Sequence, residues 1–207
     1  MSLSDKKPDT AGAFADAYFS DLGRAAAGID RRAIAKAAAL LEGTYKAGNM
    51  LFCCGNGGSA ALANQMVCDH INAIRRGTDL RPRIVSLCSN METLTATAND
   101  SDYADVFVHA LSSLAKPGDV LITISSSGDS ENIVRAIDWA KRNEMQTVAL
   151  TGFQGGRSAD RADINIHVPE SNYGIVEDLH QSITHILAQY IRSENLASPS
   201  DYGKTIF

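Results

Sequence analysis

Two short segments carry the residue types best suited to chemistry. Cys54-Gly-Asn-Gly-Gly-Ser59 and Ser125-Ser-Ser-Gly-Asp-Ser130 each follow a short apolar run and each open a helical pattern. Gly57 and Gly58 let main-chain N–H groups turn toward a ligand with no Cβ in the way. A helix that begins there adds unpaired N–H groups and the positive end of its dipole, both of which suit an anion. Asn56 adds an amide and Ser59 a hydroxyl. The plainer reading of this segment is a tight turn with Ser59 as an N-cap. In the second segment Ser125, Ser126, Ser127 and Ser130 place four hydroxyls at one strand-to-helix turn, more than capping needs. Two such loops on one sheet edge point to a bound phosphate ester. Neither has the Lys of a Walker loop, and GNGGS lacks the G-x-G-x-x-G spacing of a dinucleotide site, so a small phosphorylated metabolite is expected and no nucleotide cofactor.

These loops need elements to hold them. Phe14, Ala17, Tyr18, Leu22 and Ala26 recur at helical spacing and predict a helix over 11–27. Asp30 can cap a second helix, which carries Ile34, Ala37, Leu40 and Leu41. Both precede the first strand and form a candidate N-terminal helical arm. Beyond them, short apolar strands over 50–54, 83–87, 119–124, 146–151 and 163–168 alternate with helices over 59–74, 92–98, 103–115, 131–142 and 174–192. That alternation predicts an α/β domain whose parallel sheet is covered on both faces. Ligands of such sheets bind beyond the carboxyl ends of the strands. The informative loops are therefore 54–59, 87–91, 125–130 and 151–157. Within the last, Gly152-Phe-Gln-Gly-Gly156 reads as a turn that shapes the rim of a pocket.

The chain has 207 residues, enough for one domain, with 44% hydrophobic and 21% charged residues. Its net charge of -5 and pI near 5.5 argue against a broad basic surface for nucleic acid or anionic membrane. No apolar run approaches the ~20 residues that span a bilayer. Residues 1–10 read as a disordered lead-in without an apolar signal core, and 195–207 as a loose polar tail. Cys53, Cys54, Cys68 and Cys88 form no CxxC pair and read as reduced core thiols of a cytoplasmic protein.

Together, the two loops, Asn99-Asp100 and the closing helix resemble the sugar isomerase (SIS) domain, most closely its phosphoheptose isomerase branch, over roughly residues 11–194. The resemblance implies a single three-layer α/β/α domain with a five-stranded parallel sheet, a homotetramer, and active sites at subunit interfaces. It implies an isomerase that converts sedoheptulose 7-phosphate, or a related sugar phosphate, to an aldose phosphate through an enediol. The family's catalytic carboxylate and histidine fall at Asp69 and His185. Asn99 and Asp100 match a position that contacts sugar hydroxyls, although Asn-Asp is also a good turn pair. Asp69 lies ten residues after Ser59, or ~15 Å along a helix, much of which a seven-carbon sugar phosphate can bridge with the reach of the side chains, and a three-carbon one cannot.

Several positions depart from the family. Asp69 stands where Glu is usual, Gln65 where a metal-binding His is usual, Glu177 in place of a Gln, and Gly174 in place of an acid. The implied metal set is Gln65, Asp69, Glu177 and His185, for zinc or another divalent ion. Glu177 and His185 are eight residues apart, ~12 Å on a regular helix, so a shared ion needs an unwound helix or a neighbouring subunit. Glu177 is also a candidate substrate contact. His180 is a weaker catalytic candidate, and His70 is expected at the surface or an interface. Two other readings stay open. One is a non-catalytic tetrameric adaptor like the SIS relative that binds the replication initiator DnaA. The other is a phosphosugar sensor, with no helix-turn-helix to contact DNA directly.

Overall fold

The computed structural model describes Leu3 and residues 7–203. Five strands, β1 (Met50–Gly55), β2 (Arg83–Ser86), β3 (Val120–Ser125), β4 (Gln146–Thr151) and β5 (Ile164–His167), form one sheet in the order β2-β1-β3-β4-β5. Every pairing is parallel, with Cys53 beside Ser86 and Ile122, and Ser125 beside Thr151. All six residues of β3 are buried, as a central parallel strand with both faces covered requires. Phe52, Leu121, Ile122, Val148, Leu150 and Ile166 lie at the middle of the core.

Two groups of helices cover this sheet. The first comprises α1 (Ala11–Ala27), α2 (Arg31–Ala47), α3 (Gly58–Asp69) and α8 (Tyr173–Glu194), which pack on one another. The second comprises α4 (Met91–Asp100), α5 (Val106–Leu114), α6 (Glu131–Arg142) and α7 (Gly156–Arg161). Side-chain caps fix the starts of α1, α2, α4 and α8. Thr10 accepts from Ala13 N–H, Asp30 from Arg32 N–H, Asn90 from Thr93 N–H, and Asn172 from the N–H groups of Gly174 and Ile175. α2 contacts β1 and β5 as well as α8, so only α1 keeps the character of an arm.

Three details differ from the sequence reading. The helix expected over 59–74 is α-helical only to Asp69, and His70–Ile74 then widens into a π-helical turn. His70, expected at the surface or an interface, is fully buried in the chain and lies 2.5 Å from the Tyr45 hydroxyl through Nδ1. Burial holds its pKa down to about 3, so it is neutral. The tail is also tied: Ala197 N–H reaches the Gly77 carbonyl and Leu196 bridges to Thr78. Part of the expected lead-in, and residues 204–207, lie outside the described residues. Among the described residues, no helix is long and apolar enough to cross a membrane. The cysteines are free; Cys53, Cys54 and Cys88 are buried as expected, whereas Cys68 is exposed.

Candidate active site

β1 and β3 are adjacent at the point where the strand order reverses direction, so the two loops that leave them meet at the same sheet edge. The first loop turns at Gly57, whose φ is +55°, and enters α3. A Cβ on Gly55 would come within 2.6 Å of the Ser59 carbonyl oxygen, so this close turn admits only glycine. Ser59 is buried inside it. The Cys88 thiol donates to the Gly55 carbonyl at 3.2 Å and supports the loop from below.

Asn56, expected as a ligand contact, is held by other side chains. Its amide and that of Asn132 on α6 donate to each other at 2.9 Å, and Tyr103 donates to Asn56 Oδ1 at 2.8 Å. Asn132 is buried and also accepts from Ile133 N–H. This reciprocal amide pair ties the first loop to the helix that the second loop opens. Nothing in the pattern around Asn132 announces it, because an Asn at the second position of a helix is ordinarily a solvated residue. Asn99 and Asp100 form the exposed last turn of α4 rather than a loop, and their side chains pair with each other at 2.8 Å.

The second loop is more enclosed. Ser125 and Ser126 are buried, while Ser127 and Ser130 are half-buried. The Ser125 hydroxyl accepts from Gly128 N–H at 3.1 Å, and the Ser126 hydroxyl is buried with no partner among the described residues. Two carboxylates flank this loop. Arg157 donates to Asp129 at 2.5 Å and to Glu131 at 2.8 Å, and Arg135 joins Glu131 to Asp105. The Arg157 guanidinium holds both the Asp129 and Glu131 carboxyls below the usual carboxylate range, with Arg135 adding to the effect on Glu131.

α3 and α8 lie side by side and run in the same direction, because Gly58 meets Glu177 at one end and Asp69 meets His185 at the other. A Cβ on Gly58 would fall 2.7 Å from both carboxylate oxygens of Glu177, so that side chain lies against the first turn of α3. Farther along, Asp69 Oδ2 is 2.9 Å from His185 Nδ1, and Gln65 donates to Asp69 Oδ1 at 2.8 Å. The Asp69–His185 contact is close but off the line of an aligned hydrogen bond, which leaves Oδ2 buried with no aligned donor. Gln181 lies 2.9 Å from His185 Nε2 and 3.2 Å from the Thr184 hydroxyl. With Gln181 donating to Nε2, the imidazole proton falls on Nδ1, facing Asp69. His180 is buried and lies 3.2 Å from the Thr151 carbonyl through Nε2, away from this pair.

The expected set of four metal ligands does not come together in one chain. Among the described residues, no three His, Cys, Asp or Glu side chains converge on a point. α8 is a regular helix from Tyr173 to Glu194, so Glu177 stays ~12 Å along it from His185 and turns to Gly58 instead. The Gln65 amide nitrogen faces Asp69 as a hydrogen-bond donor and offers no electron pair. Asp69 and His185 alone supply fewer donors than the three or four of a protein zinc site.

A family model described as the SIS domain matches residues 17–152. The phosphoheptose isomerase of Proteus mirabilis is 38% identical over 163 residues, 78% of this chain and 84% of that protein. That of Rhodospirillum rubrum is 36% identical over 159 residues, 75% of this chain and 82% of its own length. Among solved structures, the phosphoheptose isomerase from Neisseria gonorrhoeae superposes with a TM-score of 0.81 at 30% identity, covering 89% of this chain and all of that one. By fold, by loop pattern and by sequence, the chain belongs to the SIS domain family, within its phosphoheptose isomerase group.

Proposed function

We propose that the protein isomerises a heptose phosphate, taking sedoheptulose 7-phosphate to its aldose isomer through an enediol. The observation that carries this reading is the Asp69–His185 pair, one helix length from two glycine- and serine-rich loops. The phosphate lies in the second loop, among Ser125, Ser126, Ser127 and Ser130, at the N-terminus of α6. The sugar carbons run along α3 past Gly58 and Glu177. Asp69 Oδ2, buried with no aligned donor, takes the proton from the carbon beside the carbonyl. His185 moves protons between the two adjacent oxygens of the enediol, with Gln181 fixing its ring. No step is assigned to a divalent ion.

The relatives named above favour the isomerase over the adaptor reading. Exposed Phe14 and Phe19 on α1, with Ile186 and Tyr190 on α8, would suit further copies of the chain in a tetramer. Four free thiols suit the cytoplasm. The test is to incubate pure protein with sedoheptulose 7-phosphate and follow the aldose phosphate by NMR. Turnover is expected, with Asp69→Asn lowering kcat by roughly 10²–10⁴-fold and His185→Gln by a comparable factor. Retained binding of the sugar phosphate with no conversion by the parent protein would refute the isomerase.

A further inference from the structure

The loop after β4 does more than form a rim. Gly152 N–H donates to the Ser126 carbonyl at 3.0 Å, and Ser158 N–H to the Gly128 carbonyl at 2.8 Å. Arg157 Nη2 donates to the Asp129 carbonyl at 2.8 Å. Three carbonyls of the serine loop are thus drawn to one side by a single neighbouring segment. In a trans peptide the carbonyl of one residue and the N–H of the next point in opposite directions, and among the described residues there are no cis peptides. The N–H groups of Ser127, Asp129 and Ser130 therefore face away from that segment. Asp129 N–H is taken by the Ser127 hydroxyl at 3.3 Å. Those of Ser127 and Ser130 join the first turn of α6 in a concave row of donors, the arrangement that binds anions. The two loops also touch through glycine: a Cβ on Gly128 would lie 1.9 Å from the Gly155 carbonyl oxygen.

Arg157 is the side chain in this mould. It spans three acceptors at once, the Asp129 carboxylate, the Glu131 carboxylate and the Asp129 carbonyl. A planar guanidinium presents its donors in a fixed fork that suits this spread of acceptors, whereas the three donors of an ammonium share one nitrogen. It also cancels charge where a phosphate would otherwise meet two uncovered carboxylates. Its side chain is 41% exposed, so its ion pairs contribute little to stability. Its effect should fall on the ligand.

We propose that Arg157 is a positioning residue for the phosphate grip: it turns the Ser125–Ser130 loop outward as a donor surface and screens the loop's own carboxylates from the ligand. The inference rests on the phosphate site proposed above. The test uses the full chain and compares the parent with Arg157→Met and Arg157→Lys, reading kcat and KM for sedoheptulose 7-phosphate, the inhibition constant of inorganic phosphate, and the melting temperature. Arg157→Met should raise KM and the phosphate inhibition constant together by about tenfold, with kcat within about twofold of the parent. Arg157→Lys keeps the charge but not the fixed fork of donors, and should raise both by at least about threefold. If Arg157→Met fails to fold, Arg157→Lys decides. Parental KM and phosphate inhibition in Arg157→Lys, or a fall in kcat with KM unchanged, would overturn the role of Arg157. A parent protein that turns over the sugar phosphate and is not inhibited by inorganic phosphate would overturn the grip itself, and this inference with it.

Discussion

Lowering the pH from about 8 to about 5 should cost the fold about 4 kcal/mol through two histidines outside the proposed chemistry. His70 and His180 are buried, and desolvation holds their pKa values at about 3 and about 4; for His180 the Thr151 carbonyl offsets part of the shift. In the unfolded chain both titrate near ~6.5. Above that value they are neutral in both states and pH has no leverage. As the pH falls below it, the unfolded state takes up protons that the folded state refuses, and stability is lost until the folded values are reached. At about pH 5 each contributes roughly 2 kcal/mol of loss. Carboxylates held low, such as Glu42 and Asp163, act mainly below that pH and add little by then. The assay is urea unfolding at about pH 8, 6.5 and 5, at one protein concentration, because association would shift the midpoint. His180→Gln should remove about half of what these two histidines contribute. Equal unfolding free energies at the two extremes, or imidazole resonances of His70 and His180 that titrate near the free value, would refute the reasoning. The site should fail with the fold. His180 pins α8 to the end of β4, and His70 opens the turn that follows Asp69.

Gly128→Ala places a side chain at φ +65° and a Cβ 1.9 Å from the Gly155 carbonyl oxygen. It should destabilise the protein by roughly 3 kcal/mol or more in urea unfolding and abolish tight phosphate inhibition. Asn132→Ala removes one half of the amide pair that joins the two loops and should cost about 1–3 kcal/mol, with a raised KM. A change below about 0.5 kcal/mol would show that the pair carries no strain when broken.

The sheet was legible because its strands are short, apolar and separated by turn residues. The start of α2 follows from Asp30, whose capping chemistry is local. The two loops were legible for the same reason, since glycine and serine at a strand end leave a strong signal. What the chain does not display in one dimension is partnership. His70 reads as a surface or interface residue because it sits beside Asp69 on a different helix face, yet Tyr45 reaches it from α2 across the core. Asn132 and Arg157 give no local sign of their roles, since each acts on a loop distant in sequence. α7 is six residues long and begins at a glycine, too short for a periodic signal. Gln65, Asp69 and His185 were located by resemblance, and the Asp69–His185 contact depends on α3 and α8 lying parallel, which no window of sequence contains.

The two glycine- and serine-rich loops look equivalent as sequence, and the fold makes them different. At the N-terminus of α3 the space beside Gly58 already holds the Glu177 carboxylate. An added dianion there would meet a fixed negative charge at close range. At the N-terminus of α6 the nearby carboxylates are turned away and paired with Arg157 and Arg135. The proposed phosphate therefore belongs to the second loop, and the first loop is left to orient Glu177 and to fix its spacing through Asn56 and Asn132. That assignment gives the substrate a direction. With its phosphate at α6, the chain of carbons points past Gly58 along α3, toward Asp69 and His185. A sugar phosphate too short to make that crossing can occupy the grip and still leave the acid–base pair with nothing to act on.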